Sequence, residues 1–163
     1  MKSMIAALAL FCVIAAPVAA GPSVDKPWFD LEHCSMCKAM LAQPGLMEHM
    51  KWDNQAISTG MLSVCTVDPA YAEAYGKVGI EMQKVMKELE SGKTMELCGM
   101  CMSYGALMHE GAKADEMMAG NVHIMTMTAT DPKVIAGIQA HAKRTIEEYA
   151  KMKAAMGEGA GKH

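Results

Sequence analysis

Residues 32–40 read EHCSMCKAM and residues 96–104 read ELCGMCMSY. Each stretch has two cysteines with two residues between them. Each also has a methionine just before the second cysteine and a glutamate two residues before the first. A second landmark repeats too. TVDPAYAEAYGKV at 66–78 faces ATDPKVIAGIQAH at 129–141, with Asp68-Pro69 opposite Asp131-Pro132. One single-residue gap reconciles the two spacings, so the chain reads as two copies of a unit of roughly 60 residues. Two copies suggest a pseudo-twofold pair, not an open array.

Each unit reads the same way. A short strand, Phe29–His33 or Thr94–Leu97, runs into the cysteine pair, and the pair opens a helix. Pro44-Gly45 ends that helix in the first unit and Gly111 ends it in the second. A hairpin follows: Lys51–Ile57 with Met61–Val67, then Ala114–Ala119 with Val122–Thr128, turning at Ser58-Thr59-Gly60 and at Gly120-Asn121. A long helix closes the unit. Asp68 is a good N-cap, and Pro69 fits the first helical position because it has no N–H to leave unpaired. Tyr71, Tyr75, Val78, Met82, Val85 and Leu89 recur at helical spacing, and Ser91-Gly92 stops the helix. Its counterpart starts at Asp131-Pro132 and carries Val134, Ile138, His141, Thr145, Tyr149 and Met152.

The expected fold is therefore α+β: two tandem βαββα repeats forming a two-layer antiparallel or mixed sheet with helices mainly on one face. The repeats either share one continuous sheet or form two ferredoxin-like half-domains. The boundaries are a signal peptide at 1–20, repeat 1 at 21–92, repeat 2 at 93–155 and a Gly-rich, disordered tail at 156–163. The signal peptide reads from Lys2, the apolar run Met4–Ala16 and the small-residue cleavage site Val18-Ala19-Ala20, and that run is too short for a membrane span. Nothing later is apolar enough to span a membrane. The expected location is thus secreted or periplasmic.

Net charge is −3, with no basic stripe. This argues against a nucleic-acid partner. Removal of the leader, with Cys12 in it, leaves Cys34, Cys37, Cys65, Cys98 and Cys101. An odd number leaves one thiol free or shared with another molecule, which admits a homodimer. Cys65, beside Ser63 and facing away from Leu62 and Val64, is expected to be buried and inert.

A C-x-x-C at a strand-to-helix junction has a physical logic. The first turn of a helix offers unpaired N–H groups and the positive end of its dipole, and both favour thiolate. Thiolate binds metal and attacks disulfides, so three readings stand side by side: metal binding, thiol–disulfide exchange, and simple disulfide staples in an interaction module. Met36 and Met100 tilt the balance to metal, because a thioether is a soft ligand that suits Cu(I). His33 flanks the first pair only. The candidate ligands are Cys34, Cys37, Cys98, Cys101, Met36, Met100 and His33. The expected ion is Cu(I), held for sequestration or transfer, with a metal-donor or acceptor protein as the expected partner. Zinc shared by all four cysteines across the pseudo-twofold axis is the variant. Nothing resembles a Ser-His-Asp set, a carboxylate pair or a phosphate loop, so no enzymatic reaction is expected. A haem link needs C-x-x-C-H, and Lys38 and Met102 stand there instead.

A strand, a C-x-x-C opening a helix, two strands and a helix resemble the heavy-metal-associated domains of copper chaperones and copper pumps. That resemblance implies Cu(I) on Cys34 with Cys37 and on Cys98 with Cys101. Cys98-Gly99-Met100 is also faintly similar to the cysteine-glycine-methionine motif of a periplasmic copper lipoprotein of nitrous oxide reductase assembly.

The chain has nineteen methionines and two phenylalanines, so methionine must fill core. Met125, Met127, Met82 and Met152 are expected to pack inside. Met47, Met50, Met117 and Met118 are expected outside, as soft ligands or oxidisable scavengers. His141, on the second helical stripe, reads as a hydrogen-bonded core histidine.

Overall fold

The computed structural model describes residues 26–160. The expected signal peptide, and residues 161–163 of the expected tail, lie outside them. The elements in order are helix α1 (Lys38–Leu41), strands β1 (Met50–Ile57) and β2 (Gly60–Val67), helices α2 (Ala72–Glu90) and α3 (Gly99–His109), strands β3 (Lys113–Ala119) and β4 (Val122–Thr128), and helix α4 (Pro132–Ala160). The class is α+β, with four strands in one antiparallel sheet of order β1-β2-β4-β3. The alternative of two separate ferredoxin-like half-domains gives way to this continuous sheet. Helix α4 continues through residues 156–160, where the sequence placed the start of the tail.

Both hairpins form where alternation and turn residues place them. They join along β2 and β4, and that seam needs a glycine. Gly60 has φ +151°, and a Cβ there would lie 2.0 Å from the Met127 carbonyl oxygen. The two ends of the seam close alike. Ala129 N–H donates to the Thr59 carbonyl, and Val67 N–H donates to the Asn121 carbonyl.

The Asp-Pro pairs stand at the starts of both long helices, but differently. Asp131 Oδ1 accepts from Lys133 N–H at 2.7 Å at the start of α4, whereas Asp68 Oδ1 accepts from Ala70 N–H at 2.9 Å and caps a short 3-10 turn, Pro69–Tyr71, that leads into α2. Their packing then differs. Helix α4 lies across β1, β2 and β4 and buries Val134, Ile138, His141, Ala142 and Thr145. Of these, Val134, Ile138 and Ala142 meet Met61, Met127, Leu107 and Ala112 in the main core. Full burial of Met61, Met127 or Ile138 contributes about 1.5–3 kcal/mol each. Helix α2 instead covers a smaller core of Ala39, Leu46, Met50, Cys65, Val67 and Val78. Only Val78 of its stripe is buried, and Ile80 on its far side is exposed.

Two expected strands are absent. Phe29–His33 and Thr94–Leu97 have no ladder. Backbone in and beside them ties the first segment to the start of helix α3 instead. Gly99 N–H donates to the Pro27 carbonyl and Met100 N–H to the Trp28 carbonyl, both at 3.0 Å, while Ser35 N–H donates to the Glu96 carbonyl at 2.8 Å. The first turn of a helix has N–H groups without intrahelical partners, and here neighbouring loop carbonyls take them. The first cysteine pair likewise opens only the single turn α1, with residues 35–37 in a turn before it.

The methionines divide between core and surface. Met61 and Met127 are fully buried, and Met125 and Met82 are partly buried against the two cores. Met117 and Met118 are exposed as expected, but Met50 is buried, because β1 begins at it and turns it under α2. Met125 and Met127 share a face with Ser63 and Met61, their register partners, and not with Leu62 and Val64.

Candidate metal centre

The two cysteine pairs meet. The four Sγ atoms of Cys34, Cys37, Cys98 and Cys101 all lie within 4.8 Å of one another, with the first three residues buried and Cys101 half-buried. Cys34–Cys101, Cys37–Cys98 and Cys37–Cys101 are each 3.7 Å apart. A disulfide is about 2.05 Å, and all five described cysteines are free thiols. The separations match a different object. Four sulfurs placed tetrahedrally about an ion at about 2.3 Å stand about 3.8 Å apart.

Backbone geometry brings the pairs together. Cys98 is the N-cap of α3, and Cys101 lies in its first turn. The segment 26–37 runs across that helix start, pinned by the three backbone hydrogen bonds to residues 96, 99 and 100. Trp28 anchors it from the other side. Its indole N–H donates to Thr145 Oγ1 at 3.3 Å, its ring packs 5.3 Å from His141, and the Arg144 guanidinium sits 4.2 Å over its face. His141 Nδ1 in turn lies 2.9 Å from Ser103 Oγ on α3. Sequence reasoning named His141 as a core histidine, which it is. It gave no role to Trp28 or Arg144, since a lone aromatic and a lone cation carry no spacing signal.

The electrostatics favour a cation. The Cys98 sulfur is held well below the usual thiol range by hydrogen bonds from the Cys101 and Cys37 thiols, helped by the backbone N–H groups of Cys101 and Asp30. Cys37 is pushed far up, because its hydrogen bonds to Cys101 and Cys98 hold its proton and burial opposes its charge. Four thiolates at such distances repel by about 4 kcal/mol per pair at an effective dielectric constant near 20. The fully ionised cluster is thus compatible only with a bound cation, which removes the protons outright.

Of the other candidate ligands, Met36 and Met100 pack against the cluster as partly buried side chains. His33 is exposed, with Nδ1 3.0 Å from Asp30 Oδ1, and stands outside the converging set. Its pKa is raised by that hydrogen bond and by the Asp30 charge. Cys65 lies on the inner face of the sheet, buried, and that burial raises its pKa.

No family model, curated protein or solved structure matches this chain. No described helix is long and apolar enough to cross a membrane.

Proposed function

We propose that this is an exported soft-metal-binding protein that holds one ion between its two C-x-x-C pairs, for sequestration or transfer. The observation that carries this is the convergence of all four sulfurs, with 3.7 Å contacts running between the pairs. A tetrahedral set of four thiolates suits Zn(II) or iron, and it leaves no open position for a substrate, so the ion is held and not used as a catalyst. Zinc is therefore the first choice. Copper(I) is the second reading, and it is favoured by the thioethers of Met36 and Met100 packed against the cluster. The half-buried Cys101 is the edge at which a donor or acceptor protein would exchange the ion. Export rests on the leader-like residues 1–20. A duplicated origin rests on the repeated cysteine stretch, hairpin and Asp-Pro-capped helix in each half.

The test is an anaerobic titration of the reduced chain with Co(II). The expected result is one ion per chain, with the visible spectrum of a tetrahedral tetrathiolate and displacement by Zn(II). A parallel titration with Cu(I) against a competing chelator ranks the two metals. Binding of two independent ions, or of none, overturns the single-site reading.

A further inference from the structure

We propose that the cluster is also a redox clasp: oxidation joins Cys34 to Cys101 and Cys37 to Cys98, across the pairs, and expels the ion. This rests on the reading of the cluster as a metal site, and it concerns what replaces the ion.

The expectation for an exported C-x-x-C is a local disulfide within each pair. The geometry points elsewhere. Three sulfur contacts of 3.7 Å run between the pairs, against the single contact of Cys101 with Cys98 within a pair. Two of them, Cys34–Cys101 and Cys37–Cys98, together use every thiol once. The third, Cys37–Cys101, would leave Cys34 and Cys98 unmatched. Closure requires the sulfurs to approach from 3.7 Å to about 2.05 Å. The two segments are already held side by side, since Ser35 is bonded to Glu96, and Gly99 and Met100 to Pro27 and Trp28.

The oxidant class is a peroxide. The half-buried Cys101 sulfur is the most reachable of the four; on losing its proton it attacks hydrogen peroxide, forms a sulfenic acid and releases hydroxide. Cys34 thiolate then attacks the sulfenic sulfur, forming the S–S bond and releasing a second hydroxide. Each disulfide gives up two electrons to one peroxide, and two protons turn the two hydroxides into two waters. A second peroxide closes Cys37 with Cys98 in the same way. Two neutral disulfides carry no thiolate charge, so the dication has no ligands left. The segment 26–37 nevertheless stays fastened to α3, now covalently.

The experiment uses the reduced full-length mature chain. Zinc loading is measured first; failure at this step overturns the metal reading alone. The zinc-loaded protein is then treated with hydrogen peroxide, and released zinc and free thiols are counted. The expected result is one zinc released while free thiols fall from five to one, Cys65 remaining. Trypsin then separates the pairs, because Cys34 and Cys37 share the peptide ending at Lys38 and Cys98 and Cys101 share Thr94–Lys113. Cross-pair disulfides give one linked species under non-reducing conditions. Two unlinked peptides, each with an internal disulfide, or sulfinic acids in place of disulfides, overturn the proposal. The double variant C37S/C98S, oxidised without metal, reads the Cys34–Cys101 bond alone. An intact Cys34–Cys101 disulfide there supports the pairing, and two free thiols after peroxide overturn it.

Discussion

The same cysteine stretch is supported in two different ways. Cys98 and Cys101 sit on the first turn of the eleven-residue α3, whose helix would hold them in place alone. Cys34 and Cys37 sit on a turn with only the four-residue α1 behind it. Their position is borrowed from α3 backbone N–H groups on one side and from the Trp28 cradle on α4 on the other. A shared sequence thus specifies thiol spacing, while the surrounding fold decides how firmly the thiols are held.

The comparison predicts which pair opens when the ion leaves. A zinc excess of about a thousandfold over Kd should raise unfolding free energy by about 4 kcal/mol. Chelation should remove that gain and raise hydrogen exchange at residues 34–40 far more than at Gly99–His109. Equal loss of protection in both pairs would break the asymmetry. Trp28→Ala removes the other support of the first pair, and truncation of so large a buried side chain should cost about 3–4 kcal/mol. Urea denaturation of the metal-free chain gives that figure. Accelerated tryptic cleavage at Lys38 should accompany it, and an unchanged rate there would show that the anchor does not reach the first cysteines.

His141 joins the two supports, touching Trp28 and Ser103, and it supplies a pH test. Burial lowers its pKa to about 4. The unfolded chain then binds the extra proton between about pH 6.5 and pH 4. Stability is full above pH 6.5 and falls as pH drops toward 4, by roughly 2–3 kcal/mol from this group. His141→Gln should flatten that slope. Denaturant midpoints of the metal-free parent and variant across this range measure it without interference from the metal, and parallel curves would contradict the assignment. The smallest effect is expected from the methionines. Met36→Leu and Met100→Leu should each change zinc affinity by less than about threefold, because Leu and Met fill similar volume. A much larger loss for Cu(I) than for Zn(II), at either position, would show that thioethers reach the ion.

Both hairpins were legible in the sequence, because β-residue runs end at Ser58-Thr59-Gly60 and Gly120-Asn121. The helix start at Asp131-Pro132 was legible too, and Asp68-Pro69 marked the 3-10 turn that leads into α2. The strands expected at Phe29–His33 and Thr94–Leu97 were not real, since apolar residues before a helix look the same whether they pair in a sheet or pack beside thiols. Leu31 and Leu97 do the latter. The four cysteines were legible as candidates from spacing alone. Their meeting in one site was not, because it depends on contacts between residues more than sixty positions apart. The different fates of α2 and α4 were equally hidden. Their stripes look alike in sequence, yet only α4 lies across three strands of the sheet.

The hydrogen bond from Trp28 to Thr145 spans 117 positions of the chain. Synthesis supplies Trp28 first and its acceptor 117 residues later. At translation rates of about 5–20 residues per second, the first cysteines wait on the order of ten seconds before the helix that anchors them exists. During that interval Cys34 and Cys37 are an open dithiol beside an unfinished chain. The order of manufacture therefore makes the earliest-made ligands the last to be enclosed, and a thiol-protecting chaperone or a reducing compartment would matter most in that interval.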